Sequence, residues 1–363
     1  MDSRSINVLL QSGQSYLKRR SCNAFRVRHL RRGYAVQQQS GSPIASVFSS
    51  KAKHLQRSRA AVNVAESRAV DYLRDEVAAR LCTRLLDINR NFDNVLDYGA
   101  NTCNVAKVLT LPDPDPDSAK PVSEPLSRKI GHLTCADTNA AMLYRDQDEA
   151  FNKEIHLSRE ILSNPEYLPY EPNTFDLVVS SLSLHWINDL PSVLTQINHA
   201  LKPDCPFIAA MSGGDTLYEL RGSLQLAESD RLGGIGAHVS PLADVRDIGN
   251  LLGRAGFKLL TVDVDDIIVD YPSTTHLMRD LQAMGESNAA LRRTPGPMSR
   301  DVLLATDAIY KELYGNEDGS IPATFRTIYM IGWKDGEGQA KPLPRGTGEI
   351  NIKDFLEGSD KKS

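Results

Sequence analysis

The sequence predicts an α/β fold, a mostly parallel sheet of seven strands with helices on both faces, and three observations carry that expectation. The run VLDYGAN from Val95 is apolar, ends in a turn and leads into the helical segment NVAKVL. Such a strand, loop and helix unit places ligands at the carboxyl edge of a sheet. FDLVVSSLSLHWI from Phe175 is the strongest strand signal, an apolar run closed by small residues and an aromatic turn, as a strand buried on both faces requires. Strand and helix signals then alternate to ATFRTIYMIGWK without a repeat or a glycine-rich linker, which argues for one elaborated domain over residues 66–338.

Ahead of the first strand, Leu73, Val77, Leu81 and Leu85 recur every four residues in ESRAVDYLRDEVAARLCTRLLDI, with acids near its start. That spacing predicts one amphipathic helix. Residues 112–128, PDPDPDSAKPVSEPLSR, read as an exposed low-complexity insertion, because proline lacks the donor that a helix or central strand needs. HLTCAD resumes the sheet and closes on Asp137; a helix containing Ala140 to Leu143 follows, and then a weak strand near Ile155 to Leu157. DLPSVLTQINHALKP reads as a helix capped by Asp189 and stopped before Pro203. FIAAM supplies a strand, and LADVRDIGNLLGRAGF a helix ending near Gly256. LTVDVDDIIVDY and ATFRTIYMIGWK, rich in β-branched and aromatic residues, supply two more strands.

Composition bounds the function. A hydrophobic content of 41% with 24% charged residues is that of an ordinary globular protein, and no apolar run approaches the roughly 18 residues that span a bilayer. Membrane contact is therefore expected to be peripheral at most. Residues 1–60 hold twelve Lys or Arg and one acid, Asp2, which leaves 30 basic against 45 acidic residues beyond them. A body this acidic excludes nucleic acid as a partner of the folded domain. Residues 1–34 have the composition of a mitochondrial transit peptide, with Arg32-Gly33-Tyr34-Ala35 as a processing site cleaved after Tyr34; a basic tail without structure is the other reading. Residues 35–65 read as a flexible linker and 339–363 as a flexible tail. None of the five cysteines forms a Cys-x-x-Cys pair, so neither a zinc knuckle nor a redox dithiol is expected, and free thiols suit a reducing matrix.

NTFDLVVSSLSLHWINDLP from Asn173, GGDTLYELRGSLQLAE from Gly213, LGRAGF from Leu252, DLQAMGESNA from Asp280 and NEDGSIPATF from Asn316 together resemble Class I S-adenosylmethionine-dependent methyltransferases, which have a Rossmann-like fold. Among these the chain is most similar to mitochondrial complex I assembly factors of the methyltransferase-fold protein arginine hydroxylase family. The resemblance extends across nearly the whole domain. It implies S-adenosylmethionine as cofactor, the mitochondrial matrix with peripheral contact at the inner membrane as location, and an arginine of an iron–sulfur subunit of complex I as substrate.

In such folds the loop after the first strand lets backbone approach the methionine part of the cofactor, which favours glycine. The usual Asp-x-Gly-x-Gly-x-Gly is altered here: Asp97-Tyr98-Gly99-Ala100-Asn101-Thr102-Cys103 keeps the Asp and the first Gly. Asn101 tolerates left-handed angles, so the turn is expected to survive with an altered fit; a turn without a ligand is the alternative. Asp137, closing the second strand, is placed to accept from both ribose hydroxyls, or else caps the next helix. Asn164, before Pro165-Glu166-Tyr167-Leu168-Pro169, stands where relatives contact adenine, and its amide oxygen can accept from the adenine amino group. Ser181, Ser183, His185 and Trp186 follow the fourth strand on the edge facing cofactor and substrate. Histidine moves protons near neutral pH, and tryptophan stacks on a guanidinium. Asp215, Tyr218, Glu219, Arg221 and Glu286 complete the candidates: His185, Asp215, Tyr218 and Glu286 as catalytic groups, Trp186, Glu219 and Arg221 as substrate contacts. Carboxylates suit an arginine because they pair with it in bidentate fashion; solvated helix faces are the plainer reading.

Hydroxylation usually draws on a metal or a flavin, yet none of the eight histidines begins the His-x-Asp/Glu pattern of a facial iron triad, and no metal site is expected. The residues alone favour methyl transfer, on a protein or an acyl carrier, or cofactor binding without catalysis, as in an assembly chaperone with a decayed crevice. The resemblance favours arginine hydroxylation in complex I assembly.

Overall fold

The computed structural model of the chain describes residues 46–112, 124–293 and 296–339. It opens with helices α1 (Ser50–Val62), α2 (Val64–Ala69) and α3 (Tyr72–Leu86), then strand β1 (Phe92–Tyr98), α4 (Asn104–Leu109), β2 (Ile130–Asp137), α5 (Ala140–Leu143) and β3 (Leu157–Ile161). There follow β4 (Leu177–Ser181), α6 (Leu190–Ala200), β5 (Pro206–Ser212), α7 (Tyr218–Leu232) and α8 (Val245–Arg254). The last elements are β6 (Phe257–Tyr271), α9 (Thr274–Ala283), α10 (Arg300–Tyr314) and β7 (Ile321–Lys334).

All seven strands form one sheet in the order β3-β2-β1-β4-β5-β7-β6. The first five run parallel and β7 is antiparallel to both its neighbours. Alternate side chains of the parallel strands enter separate core layers: Val95, Leu177 and Ile208 pack on one face, Leu96, Val178 and Phe207 on the other. Burial on both faces is why these strands read as continuous apolar runs. The strand order reverses between β1 and β4, which opens a crevice beyond their carboxyl ends.

Capping behaves as the sequence predicts. Asp189 accepts from the Ser192 N–H at 3.1 Å, and Gly256 ends the stretch after α8 at φ 93°. Leu73, Val77, Leu81 and Leu85 all lie in the core. The expected single helix is broken ahead of them, at Val70 and Asp71 between α2 and α3, where the Asp71 carboxylate is taken by the buried Arg145. The weak strand lies further along than Ile155–Leu157, because Leu157 is the residue that pairs with Leu133 and the ladder runs on to Ile161.

Two domain boundaries are corrected. From Ser50 the expected linker is helix α1, with Ser49 accepting from the Ala52 N–H at 3.2 Å. Its buried face consists of Lys53, Arg57, Ala60 and Ala61, so it carries no hydrophobic period to read. The expected insertion closes early, since Leu126–Lys129 forms a 3-10 turn with Leu126 in the core. The transit peptide, residues 35–45 of the linker, insertion residues 113–123 and the tail from 340 onward lie outside the described residues. Among the described residues no helix is long and apolar enough to cross a membrane.

Candidate active site

The loop after β1 puts Gly99, Asn101 and Cys103 at φ 72°, 52° and 62°. These alternating positions are those that glycine fills in the commoner form of the motif, so the left-handed backbone persists although two of the three residues carry side chains. Gly99 is obligatory for another reason as well: a Cβ there would stand 2.0 Å from Ser183 Oγ. Asn101 meets its strain with local bonds. Its Nδ2 donates to Gly99 O and Ser181 O, each at 3.1 Å, and its Oδ1 accepts from the Arg57 guanidinium. The Asn101 side chain is thus a strut inside the loop, and its contribution to a ligand is the backbone shape it holds.

Two carboxylates sit on adjacent strand ends. Asp137 is saturated: Oδ1 accepts from the Asn139 N–H at 2.8 Å, Oδ2 from the Asn101 N–H at 3.0 Å, and Arg57 Nη1 lies 3.4 Å from each oxygen. Asp97 is the opposite, fully buried with neither carboxylate oxygen hydrogen-bonded. Burial, and then the charge of Asp137, push its pKa up to about 8. A buried acceptor pair without a donor is costly, and Asp97 lies beneath the loop without lining the cavity beside it.

Beside them opens a cavity of about 310 Å³, walled by Gly99, Asp137, Ser183, Trp186 and the α1 residues Lys53 and Arg57. Trp186 also walls a second, apolar cavity of about 260 Å³ that contains His185, Arg74 and Glu286 at its polar end. The indole Nε1 donates to Glu286 Oε2 at 2.7 Å. Arg74 Nη2 donates to Glu286 Oε1 at 3.1 Å, and Lys53 Nζ lies 3.5 Å from Oε2. Burial raises the Glu286 pKa, but the charges of Lys53, Arg74 and Arg57 outweigh it and hold the group well below the usual carboxylate range. Burial lowers the His185 pKa, so the imidazole is neutral at physiological pH; its Nδ1 has no hydrogen-bond partner, while Nε2 lies 3.9 Å from Glu286. His185 thus lines the apolar cavity with a neutral ring whose Nδ1 is buried and unpartnered.

Residues 70–262 match the family model described as a methyltransferase domain. The arginine-hydroxylase NDUFAF5, mitochondrial, of Danio rerio is 46% identical over 310 residues, covering 85% of this chain and 89% of the relative. The chain belongs to the arginine-hydroxylase NDUFAF5 family. The Homo sapiens member is 46% identical over 307 residues, with 85% and 82% covered. More distantly, the malonyl-[acyl-carrier protein] O-methyltransferase of Halorhodospira halophila is 31% identical over 284 residues, with 78% and 88% covered. The arginine-hydroxylase NDUFAF5 family thus carries a methyltransferase-type domain, and the relatives named as such are called mitochondrial.

In this family member Gly99, Asp137, His185, Trp186 and Glu286 line the two cavities, Asp97 and Asn101 lie buried at the β1 loop without lining either, and the other candidates stand apart. Asn164 is exposed, and its Oδ1 is committed to the Glu166 N–H at 2.9 Å; Ser163 and Pro165 line the cavity in its place. Ser181 is buried behind the wall and Ser183 faces the cavity instead. Around the start of α7 the helix phase decides. Leu217, Leu220 and Leu224 face the apolar cavity. Glu219 points away to β7, where it accepts from Thr324 N at 3.4 Å, and Arg221 donates to Gly214 O at 3.0 Å. Asp215 is exposed and pairs with Arg326, while Tyr218 is exposed and packs edge-on against Tyr314. Glu219 and Asp215 thus reach β7, Tyr218 packs on α10 and Arg221 holds the turn ahead of α7, and none of the four lines the two cavities that share Trp186. Sequence reading missed Lys53 and Arg57 because they lie in the presumed linker; their only signal is an i,i+4 basic pair in a run without acids.

Proposed function

We propose that this arginine-hydroxylase NDUFAF5 family member hydroxylates an arginine side chain of an iron–sulfur subunit of respiratory complex I. It acts in the mitochondrial matrix, in peripheral contact with the inner membrane, with S-adenosylmethionine held by the cavity at the β1 loop. The observation that carries the reading is the pair of cavities sharing one Trp186 wall, which lets a protein side chain and a nucleoside approach the indole from opposite sides. The apolar slot suits the methylene stem of an arginine. There the His185 Nδ1 lone pair, buried and unpartnered in the free protein, would accept from a guanidinium N–H once exposed to it, and the Trp186 ring would offer it a face. These residues bind, orient and exclude water; inserting an oxygen atom into a C–H bond requires an oxygen source beyond the side chains themselves.

The fit to S-adenosylmethionine rests on the left-handed loop and on Asp97, whose unpartnered carboxylate would take the methionine ammonium once the loop gives access to it. Asp137 would hold the ribose hydroxyls once Arg57 moves from it. When bound, the cofactor supplies a sulfonium charge and an electrophilic methyl group. Methyl transfer is the second reading, favoured by the 31% identity to the malonyl-[acyl-carrier protein] O-methyltransferase.

Mass spectrometry of the complex I iron–sulfur subunits from cells lacking this protein separates the readings. Loss of one oxygen mass from a subunit arginine is expected. Loss of a methylene mass would establish methyl transfer. No mass change with assembly still failing would leave a chaperone without catalysis.

A further inference from the structure

Trp186 is held from several sides. Besides the Glu286 bond to its Nε1, Lys53 Nζ stands 3.3 Å from the ring centroid, Phe48 packs edge-on at 5.3 Å and His185 lies tilted at 5.1 Å. Lys53 is buried, and its Nζ also donates to Gly285 O at 3.1 Å and Ser287 O at 3.0 Å. A single ammonium thus ties α1 to the loop that carries Glu286, with the indole between them. We propose that Lys53 is a positioning residue that holds the Trp186 indole as the partition between the nucleoside cavity and the arginine cavity. It touches no reacting atom; it acts through Trp186 and Glu286. The inference rests on the reading of those cavities given above.

The charge on Lys53 is what makes the hold: the ring face attracts a cation, and so does Glu286. Burial lowers the Lys53 pKa to about 7, with Glu286 opposing the shift and Arg57 and Arg74 assisting it. The charged and titratable groups around it are Arg57 from α1, Arg74 from α3, His185 from the turn after β4, and Glu286 from the loop after α9. His185 titrates below its ordinary value and Glu286 well below, so neither changes charge above neutrality. Above about pH 7 the ammonium is lost and the partition loosens.

The chain has two tryptophans, Trp186 and Trp333, so full-length Trp333→Phe protein reports Trp186 emission alone. Its emission is followed between about pH 6 and about pH 9. A transition with a midpoint near 7 is expected. Lys53→Arg, charged throughout, should hold the low-pH signal at every pH, and Lys53→Met, if it folds, the high-pH signal. With a peptide spanning the modified arginine of the complex I iron–sulfur subunit as substrate, KM should rise about tenfold through the same range in the parent and stay level in Lys53→Arg, a loss of roughly 1.4 kcal/mol of binding. A transition that persists in Lys53→Arg, or no transition in the parent, overturns the proposal. The emission arm needs no substrate, so if it succeeds while the peptide is not turned over, the hydroxylase reading fails and the role of Lys53 in fixing Trp186 stands.

Discussion

At the scale of single residues the site is a contest between desolvation and partners, and Asp97 and Glu286 fall on opposite sides of it. Glu286 is half-buried among cations and stays ionised; Asp97 is buried without a donor and does not. The consequence for Asp97 has a definite sign. Its folded pKa is raised, so between the unfolded value near 4 and the folded value of about 8 the folded chain holds a proton that the unfolded chain has lost, and stability falls as pH rises through that window. Asp97→Asn should remove this dependence and raise the ligand-free stability at pH 8 by a few kcal/mol, read from chemical denaturation at several pH values. Glu286→Gln should act the other way, costing about 2–4 kcal/mol, because it leaves Lys53 and Arg74 buried beside a neutral group; the midpoint of urea unfolding checks it. Gly99→Ala should abolish the loop geometry, since its methyl would overlap Ser183 in a backbone region that alanine avoids, and the expected signature is lost nucleoside binding in a protein that still unfolds cooperatively.

At the scale of elements, helix phase and hidden helices set what could be read from the sequence. The parallel strands were legible because burial on both faces writes an apolar run, as in Leu177–Ser181. Asp97 and Asp137 were legible because strand ends are marked by the turns that follow. Helix α1 was not, because it buries Lys53 and Arg57 rather than leucines, and charge pairing across 80 or more residues leaves no local period. At α7 the sequence points to the right segment but to its charged residues, whereas Leu217, Leu220 and Leu224 face the cavity. This correction is testable: Tyr218→Phe and Asp215→Asn should leave turnover of an arginine peptide within about twofold, whereas Leu220→Gln, which puts a polar group into the apolar slot, should raise KM about tenfold or more.

At the scale of the whole molecule, the strand-order reversal between β1 and β4 creates one crevice, and α1 with the loop of Glu286 divides it in two. The half beside the β1 loop keeps left-handed backbone at Gly99, Asn101 and Cys103, and the other half is apolar and lined by a neutral imidazole. What links the halves to the family's chemistry is whether an adenosyl ligand with a free ammonium enters beneath the β1 loop. The most direct measurement is calorimetric titration of S-adenosylhomocysteine into the full-length protein near pH 7, in two buffers of different ionisation enthalpy. Binding with release of close to one proton, as Asp97 ionises against the ammonium, is the predicted result, with that release absent in Asp97→Asn. Failure of the parent protein to bind, or an identical proton count in Asp97→Asn, would contradict the account.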